Sequence, residues 1–431
     1  MYTHLVRCRA CGHGQPNIAP SYKAAQYSDR LISVLNLGVQ PLANDFRREG
    51  EAHAGFAPLE LLFCPQCSLA QLSVVVSPET LYSRYSYVTS PSATMREHFG
   101  ALLRDIATER TSDLPGSVVE IGSNDGLLLS FLADNGYGNV VGIDPAENLA
   151  ANAKRSGVIV ITSFFNEDSA RTARLAVGDA DLVIARHVFC HIDDWKGFVK
   201  SLDLLASKET LICIEFPCVT DQIDAGSFDQ IYHEHLSYLP IKAFKALLDG
   251  SPFHLHRVLH YPVHGGANLV MIRRNDTASP QHPSVQTILA AEDVTQKRWE
   301  QFGNEAHLRI IRLRDRIRDL RRMGKRVCGF GASAKSTVWI NAMGLTKDDL
   351  YGVYDSTMEK QYCCIPGTNI PVIHEGAFYV DGPDYAVCFA WNFFKEIKQK
   401  HAKWMSRSNG KWIVPVPELS VIGLDSQDVG A

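Results

Sequence analysis

Residues 118–144 read VVEIGSNDGLLLSFLADNGYGNVVGID, and the order of apolar and turn-forming residues in this stretch decides the fold. Residues 118–121 are a short apolar run of the kind buried on both faces of a parallel sheet. Gly122 and Gly126 bracket a tight turn where a side chain would block a ligand's approach. Residues 127–135 continue as an apolar-faced helix, Gly136-Tyr137-Gly138 ends it, and residues 140–143 form a second strand with Asp144 at its carboxyl end. An acid at that tip can take both hydroxyls of a ribose. The turn is not the dinucleotide pattern G-x-G-x-x-G, because Ser123, Asn124 and Asp125 fill its middle.

Glu120 at the first strand end, the Gly-x-x-x-Gly turn and Asp144 together resemble an S-adenosylmethionine (SAM) methyltransferase. That cofactor carries a sulfonium and an amino acid group in place of a pyrophosphate, so acidic and amide side chains suit the turn better than bare glycines. The resemblance implies cofactor contacts from Glu120, Gly122, Asn124, Asp125, Gly126 and Asp144. On this stretch alone, an α/β unit with an ordinary glycine turn is the alternative. The alternation continues with strands at 158–161, 181–185 and 211–215. The segment 163–166 offers the Phe164 ring and an amide to adenine. Ligands of doubly wound sheets sit outside the carboxyl ends of the strands, which puts Gly122, Asp144, His191 and Glu215 on one rim.

At 431 residues the chain has length for about three domains. With 45% hydrophobic and 21% charged residues it has the composition of a soluble globular protein. A formal charge of −4 gives no electrostatic footprint for nucleic acid. The amino terminus lacks a basic-then-apolar export pattern, and no apolar run reaches membrane-spanning length, so the expected compartment is cytoplasmic, with no membrane partner. The eleven cysteines are then thiols or metal ligands. Cys8-x-x-Cys11 and Cys64-x-x-Cys67 supply four thiolates for one zinc ion, and four protein ligands leave no open position, so the zinc is structural. Free reduced cysteines are the alternative. Residues 37–46, LGVQPLANDF, form a loop between the knuckles that suggests no chemistry by itself.

A second informative stretch is residues 228–238, FDQIYHEHLSY. His-x-His can bind zinc, but no H-E-x-x-H is present and spacing places no further ligand. A general base needs one neutral imidazole, an orienting carboxylate and a hydrogen-bonding phenol; His235, Glu234 and Tyr232 supply these types. A polar helix start is the bland alternative. Tyr82, Tyr85 and Tyr87 form an aromatic cluster that is more often packing than chemistry. The histidines at 254, 256 and 260 have the irregular spacing of structural residues, whereas His264 precedes paired glycines that permit close ligand approach. Phe302, Ala306, Ile310, Leu313, Ile317 and Leu320 form the apolar stripe of a long helix spanning 292–322. Residues 325–341 repeat the strand, glycine turn and helix. Backbone N–H groups at such a helix start bind phosphate, with Lys335, Ser336 and Thr337 adding charge and hydroxyls. Asp355 ends the second strand of that unit.

Taken together, these motifs resemble the C-methyltransferases of nucleotide-linked keto-deoxysugars from antibiotic pathways. The resemblance implies an α/β protein in parts: a zinc-binding domain at 1–77, a SAM domain with amino-terminal helices at 78–290, a linking helix at 291–323 and a Rossmann-like substrate-nucleotide domain at 324–431. It implies His235 as general base, expected to be a neutral histidine near its ordinary pKa of about 6.5, with Tyr232, Glu234, His191 and Tyr87 lining the sugar. His264, Gly331, Ser333, Lys335, Ser336, Thr337, Asp355 and Asn392 fall at its substrate positions. The implied substrate is a nucleotide-sugar, with dTDP as its nucleotide, and neither a monomer nor a homo-oligomer is singled out. An O-methyltransferase of a sugar or other small natural-product intermediate, and a non-catalytic SAM-fold binding protein, are the rival readings. His264-Gly-Gly continues as Ala-Asn-Leu and Cys363-Cys364 precedes IPGT, departures that bear on the sugar more than on the chemistry.

Overall fold

A computed structural model describes residues 1–5, 7–14, 30–82, 93–109, 116–155, 158–263, 265–277 and 279–424. Its centre is a seven-stranded sheet in the spatial order Phe253–Tyr261, Ala267–Arg274, Ala206–Pro217, Ala180–Arg186, Ser117–Ile121, Asn139–Ile143, Ile159–Ile161. Neighbours from Ala206–Pro217 onward pair in parallel. Ala267–Arg274 runs antiparallel to both of its neighbours. All five residues of Ser117–Ile121 are buried, as expected of a strand covered on both faces. From this strand the chain steps outward to Ile159–Ile161, then crosses to Ala180–Arg186 on the other side. The strand order therefore reverses beside Ile121 and Arg186, and a crevice opens at their carboxyl ends.

The carboxyl-terminal unit repeats the plan on six strands: Val372–His374, Val353–Asp355, Val327–Phe330, Tyr385–Cys388, Lys411–Val414 and Ser420–Ile422. The first five are parallel and the last is antiparallel. Its reversal lies beside Phe330 and Cys388.

The amino-terminal unit is an antiparallel sheet of Ile32–Pro41, Phe56–Phe63 and Ala70–Leu72. Its fourth strand, Ser237–Tyr238, comes from the end of the FDQIYHEHLSY segment. Residues 37–41, expected to lie in a loop, belong instead to the strand Ile32–Pro41. Arg47–Arg48 pairs with Cys363–Cys364, which ties the first unit to the third. One apolar core is shared by all three units: Leu59 and Leu61, Phe228 and Ile231, Trp299, Phe302 and Ile310 of the helix Gln296–Arg322, and Trp339. The expected stripe is buried in that helix, which approaches the first sheet at Gly303, where a Cβ would lie 2.0 Å from the Val34 carbonyl oxygen. The histidine segment thus sits where the units meet. No helix among the described residues is long and apolar enough to cross a membrane.

Candidate active site

The sulfur atoms of Cys8, Cys11, Cys64 and Cys67 all lie within 4.8 Å of one another. Cys8 and Cys67 are 3.4 Å apart, and Cys11 and Cys64 are 3.7 Å apart. A tetrahedron with Zn–S bonds of about 2.3 Å has edges of ~3.8 Å, so the four thiols fit one zinc ion. Cys8, Cys64 and Cys67 are buried against the apolar face of the central sheet.

At the central crevice, Gly122, Asn124 and Gly126 have φ of 71°, 52° and 78°, the left-handed region that glycine adopts without strain. A Cβ on Gly122 would lie 2.0 Å from Val188 Cγ2. Asp144 accepts the backbone N–H of Asn124 at 2.8 Å and of Ala146 at 2.9 Å, one on each oxygen. Asp125 stands half-buried in the same turn. Glu120 is buried, and its Oε2 has no partner among the described residues; nor does Ser123 Oγ. Burial, against the pull of Arg186, pushes the Glu120 carboxyl up to about 8. Arg186 does not offset the burial of a carboxyl held near two further acids, and the sulfonium and ammonium of SAM would supply further positive charge. The residues fit the cofactor.

Across the rim, the turn at 232–235 closes through the His235 N–H to the Tyr232 carbonyl, 2.9 Å. Tyr232 and His235, three apart, share a face: the phenol lies 2.7 Å from His235 Nε2. His235 Nδ1 lies 2.9 Å from the Gln230 carbonyl oxygen. A carbonyl only accepts, so Nδ1 carries the proton and Nε2 presents its lone pair, on which the Tyr232 hydroxyl donates. The His191 ring stacks on His235 at 5.1 Å and 25°, and Tyr82 stacks on the other side of His191 at 5.7 Å and 12°. Burial, with His191 adding to it, holds His235 well below its ordinary value, and burial brings His191 down to about 3. Both imidazoles are neutral at physiological pH. Beneath them, Glu215 meets His98 at 2.7 Å, His187 at 2.9 Å and Arg186 at 3.3 Å. Burial would raise its carboxyl, but Arg186, His187 and His98 hold it well below the usual range.

The carboxyl-terminal crevice is built the same way. Gly331 has φ 88°, and Asp355 accepts the N–H of Ala332 and of Thr357, each at 2.7 Å. Ser333 caps the helix Ala334–Met343 by position, yet its hydroxyl makes no cap bond and has no partner among the described residues. Lys360 is buried and donates to the Ala332 carbonyl at 2.8 Å. Lys335 Nζ lies 5.7 Å over the Trp391 ring, beside the half-buried Asn392. The two crevices meet at Gly265, where a Cβ would lie 3.0 Å from Trp391 Cη2 and 3.3 Å from Gln230 Nε2. Asp229 locks the junction by accepting the indole N–H of Trp391 at 2.7 Å and of Trp339 at 2.9 Å.

Family models match in three consecutive parts: a zinc binding domain over residues 27–82, a methyltransferase domain over 94–258 and a C-methyltransferase C-terminal domain over 262–417. The C-methyltransferase NovU of Streptomyces niveus is 30% identical over 429 residues, covering 98% of each chain. This chain belongs to the C-methyltransferase family. It is a SAM-dependent enzyme with a structural zinc. Among solved structures, a SAM-dependent methyltransferase from Anabaena variabilis aligns at 15% identity, with 42% of this chain and 86% of its own covered and a TM-score of 0.35. Magnesium protoporphyrin IX methyltransferase from Synechocystis with bound SAM aligns at 17%, with 42% and 78% covered and a TM-score of 0.30.

In this C-methyltransferase the structure brings Glu120, Gly122, Asn124, Asp125, Gly126 and Asp144 together at one turn, and stacks His191 on His235 of the turn that also carries Tyr232. Four expectations are corrected. Glu234 does not orient His235: adjacent residues of the turn face apart, so Glu234 accepts from Asn44 Nδ2 at 2.7 Å and the Gln230 carbonyl does the orienting. His235 is not near its ordinary pKa, because it is buried. Ser336 donates to the Ser333 carbonyl at 2.6 Å and Thr337 to the Ala43 carbonyl at 2.9 Å. Both hydroxyls turn into the protein, since positions 336 and 337 lie on the packed faces of the helix. Asp144 and Asp355 spend one lone pair of each oxygen on their own loops, leaving the rest for a ligand. Phe164 packs with Leu81 and Tyr82 against the first unit. Tyr87 and His264 lie outside the described residues. Sequence reasoning missed the LGVQPLANDF segment as a clamp: Asn44 holds Glu234 and Ala43 holds Thr337. The next strand adds to it, since His233 donates to the Ala57 and Pro58 carbonyls, both 3.2 Å.

Proposed function

We propose that this C-methyltransferase acts on a nucleotide-linked keto-deoxysugar, with His235 as general base. The observation that supports this is the tautomer of His235: the Gln230 carbonyl fixes the proton on Nδ1 and leaves Nε2 a lone pair, met by the Tyr232 hydroxyl. Methylating carbon requires a carbanion equivalent, so the reacting carbon must lie beside a carbonyl. In this reading His235 Nε2 takes the proton from that carbon, and the electron pair moves into the carbonyl as an enolate. The Tyr232 hydroxyl, displaced from Nε2 by substrate, donates to the developing oxyanion together with His191 Nε2, which has no partner among the described residues. The tautomer of His191 follows from that role. SAM, bound at the Glu120–Asp144 turn, supplies the methyl group. The nucleotide phosphates lie at the start of the helix Ala334–Met343, on the backbone N–H groups after Gly331, the Ser333 hydroxyl, Lys335 and Asn392.

The test is mass spectrometry of a panel of nucleotide keto-sugars, dTDP-linked ones first, for mass gain of one methyl. In parallel, the enzyme with S-adenosylhomocysteine in deuterated water should exchange the proton of the carbon it methylates. Methyl gain without exchange by any active substrate counts against deprotonation ahead of transfer. Methyl gain only on compounds lacking a nucleotide removes the phosphate reading.

A further inference from the structure

We propose that Arg9, inside the first cysteine knuckle, is a positioning residue that sets the two active-site histidines relative to each other. The proposal rests on His235 being the base. His191 and His235 belong to separate segments, the loop after Ala180–Arg186 and the turn at 232–235, and their rings meet face to face at 5.1 Å. One guanidinium bridges the two segments. Arg9 Nε donates to Asp193 Oδ1 at 2.8 Å, two residues beyond His191. Its Nη1 donates to the Leu236 carbonyl at 2.8 Å, directly after His235. The same carbonyl accepts the Leu72 N–H at 3.0 Å, which holds it from the sheet side.

Arg9 is itself fixed from behind. It lies between Cys8 and Cys11, so its backbone is part of the zinc knuckle. Gln71 clamps that knuckle on both sides: the Arg9 N–H donates to Gln71 Oε1 and the Gln71 amide donates to the Arg7 carbonyl, each at 2.9 Å. The Arg9 side chain is 2% exposed while Asp193 is 47% exposed, so the guanidinium is held inside the protein and the Asp193 arm is the more solvated and weaker of its two contacts. A planar guanidinium keeps its donors in a fixed fork, whereas a lysine ammonium reaches from a flexible stem and cannot hold both acceptors in that plane. The zinc knuckle therefore reaches both histidine segments through one rigid group, beside the strand pairing that holds only the segment at Leu236 and Ser237. A shift of about 1 Å in either ring lowers turnover by up to about a hundredfold, even when every contact to substrate is retained.

The experiment compares the full-length parent with Arg9→Lys, Arg9→Met and Asp193→Asn. Readouts are zinc content by elemental analysis, SAM affinity by calorimetry, kcat, KM and the rate of substrate proton exchange with S-adenosylhomocysteine bound. The expected result is parental zinc content, SAM affinity and KM in both Arg9 variants, with kcat and exchange falling together by about 10- to 100-fold. Asp193→Asn, which keeps the arm to Leu236, falls less. Parental kcat in either zinc-replete Arg9 variant overturns the proposal. If both Arg9 variants lose zinc, Asp193→Asn decides, and parental kcat there overturns it as well. Absence of exchange in the parent enzyme counts against His235 as base, and kcat at parental zinc content then decides Arg9 alone.

Discussion

The two glycine turns of this C-methyltransferase share one scaffold and differ in charge. In each, a parallel strand enters a turn at left-handed φ, a helix leaves it, and an aspartate at the next strand tip ties the turn down. Asp144 takes the N–H of Asn124 and of Ala146; Asp355 takes the N–H of Ala332 and of Thr357. The second N–H lies two residues beyond the aspartate in both. What differs is the company. Glu120, Asp125 and Asp144 crowd acid around the first turn, whereas Lys335, Lys360 and a Ser333 hydroxyl with no partner among the described residues surround the second. In the proposed function the scaffold positions a ligand and the side chains choose its sign: a cation at the first turn and an anion at the second. His235 stands between them.

The strongest challenge to that division is to remove the group in the middle. His235→Asn keeps a polar side chain but cannot accept the proton, and turnover should fall by about 10²–10⁴-fold. SAM and a nucleoside diphosphate, titrated calorimetrically, should both bind as to the parent, because neither turn uses His235. Loss of either affinity would show that the turns and the base are one site. The next effect tests the sign at the first turn. Glu120→Gln removes the charge opposite the cofactor cation and should weaken SAM binding by about 1.5–3 kcal/mol with nucleotide binding untouched. Burial raises the Glu120 carboxyl from 4.5 to about 8, so without a cation it holds a proton at neutral pH. Its stability contribution is complete below the ordinary value and is lost as pH rises through the raised one. Glu120→Gln should therefore melt higher than the parent at pH 8 and alike at pH 4.5. Cation binding drives the proton off, so calorimetry in buffers of different ionisation heat should show proton release at pH 7 that the variant lacks.

The shared tether is open to a matched pair. Asp144→Asn and Asp355→Asn each place an NH2 group against a backbone N–H and leave that donor unsatisfied. Both should lose about 1–3 kcal/mol of stability, the buried Asp144 more than the half-buried Asp355. Only Asp144→Asn should also weaken SAM binding. Denaturant melts and SAM titration of both variants read this out, and equal loss of SAM affinity in the two would end the distinction between the turns.

Much of this was legible in the sequence because period and turn chemistry act locally. The strand Ser117–Ile121, the helix Leu127–Asp134 and the buried stripe of Gln296–Arg322 follow from apolar spacing, and the knuckle cysteines follow from C-x-x-C pairs. Residues whose direction depends on partners far along the chain were not. Glu234 faces Asn44, 190 residues away, and Thr337 faces Ala43, 294 residues away. Nothing in either neighbourhood encodes that choice. The pKa of His235 also escaped, since burial there comes from three units closing over one turn. One signal was available: a strand-forming LSY directly after the polar YHEH run marks a segment bound on one side to a sheet.

The smallest effect sharpens the second turn hydroxyl by hydroxyl. Ser333, Ser336 and Thr337 stand within five residues and looked equivalent as phosphate ligands. The structure separates them by what each already holds. Ser333 Oγ makes no cap bond, so Ser333→Ala should leave the melting temperature unchanged while weakening nucleoside diphosphate binding by about 0.5–1.5 kcal/mol. Thr337→Val should do the reverse. It removes the bond to the Ala43 carbonyl, strands a buried acceptor and costs about 1–3 kcal/mol of stability with nucleotide affinity intact. Ser336→Ala loses only a bond to a carbonyl within its own turn and should leave nucleotide binding unchanged. Calorimetry and melting on the three variants would place the phosphate at the helix start if Ser333→Ala alone weakens nucleotide binding. If Thr337→Val also weakens it at full stability, the hydroxyl turns outward on binding, and the anion site reaches deeper into the helix than its first residue.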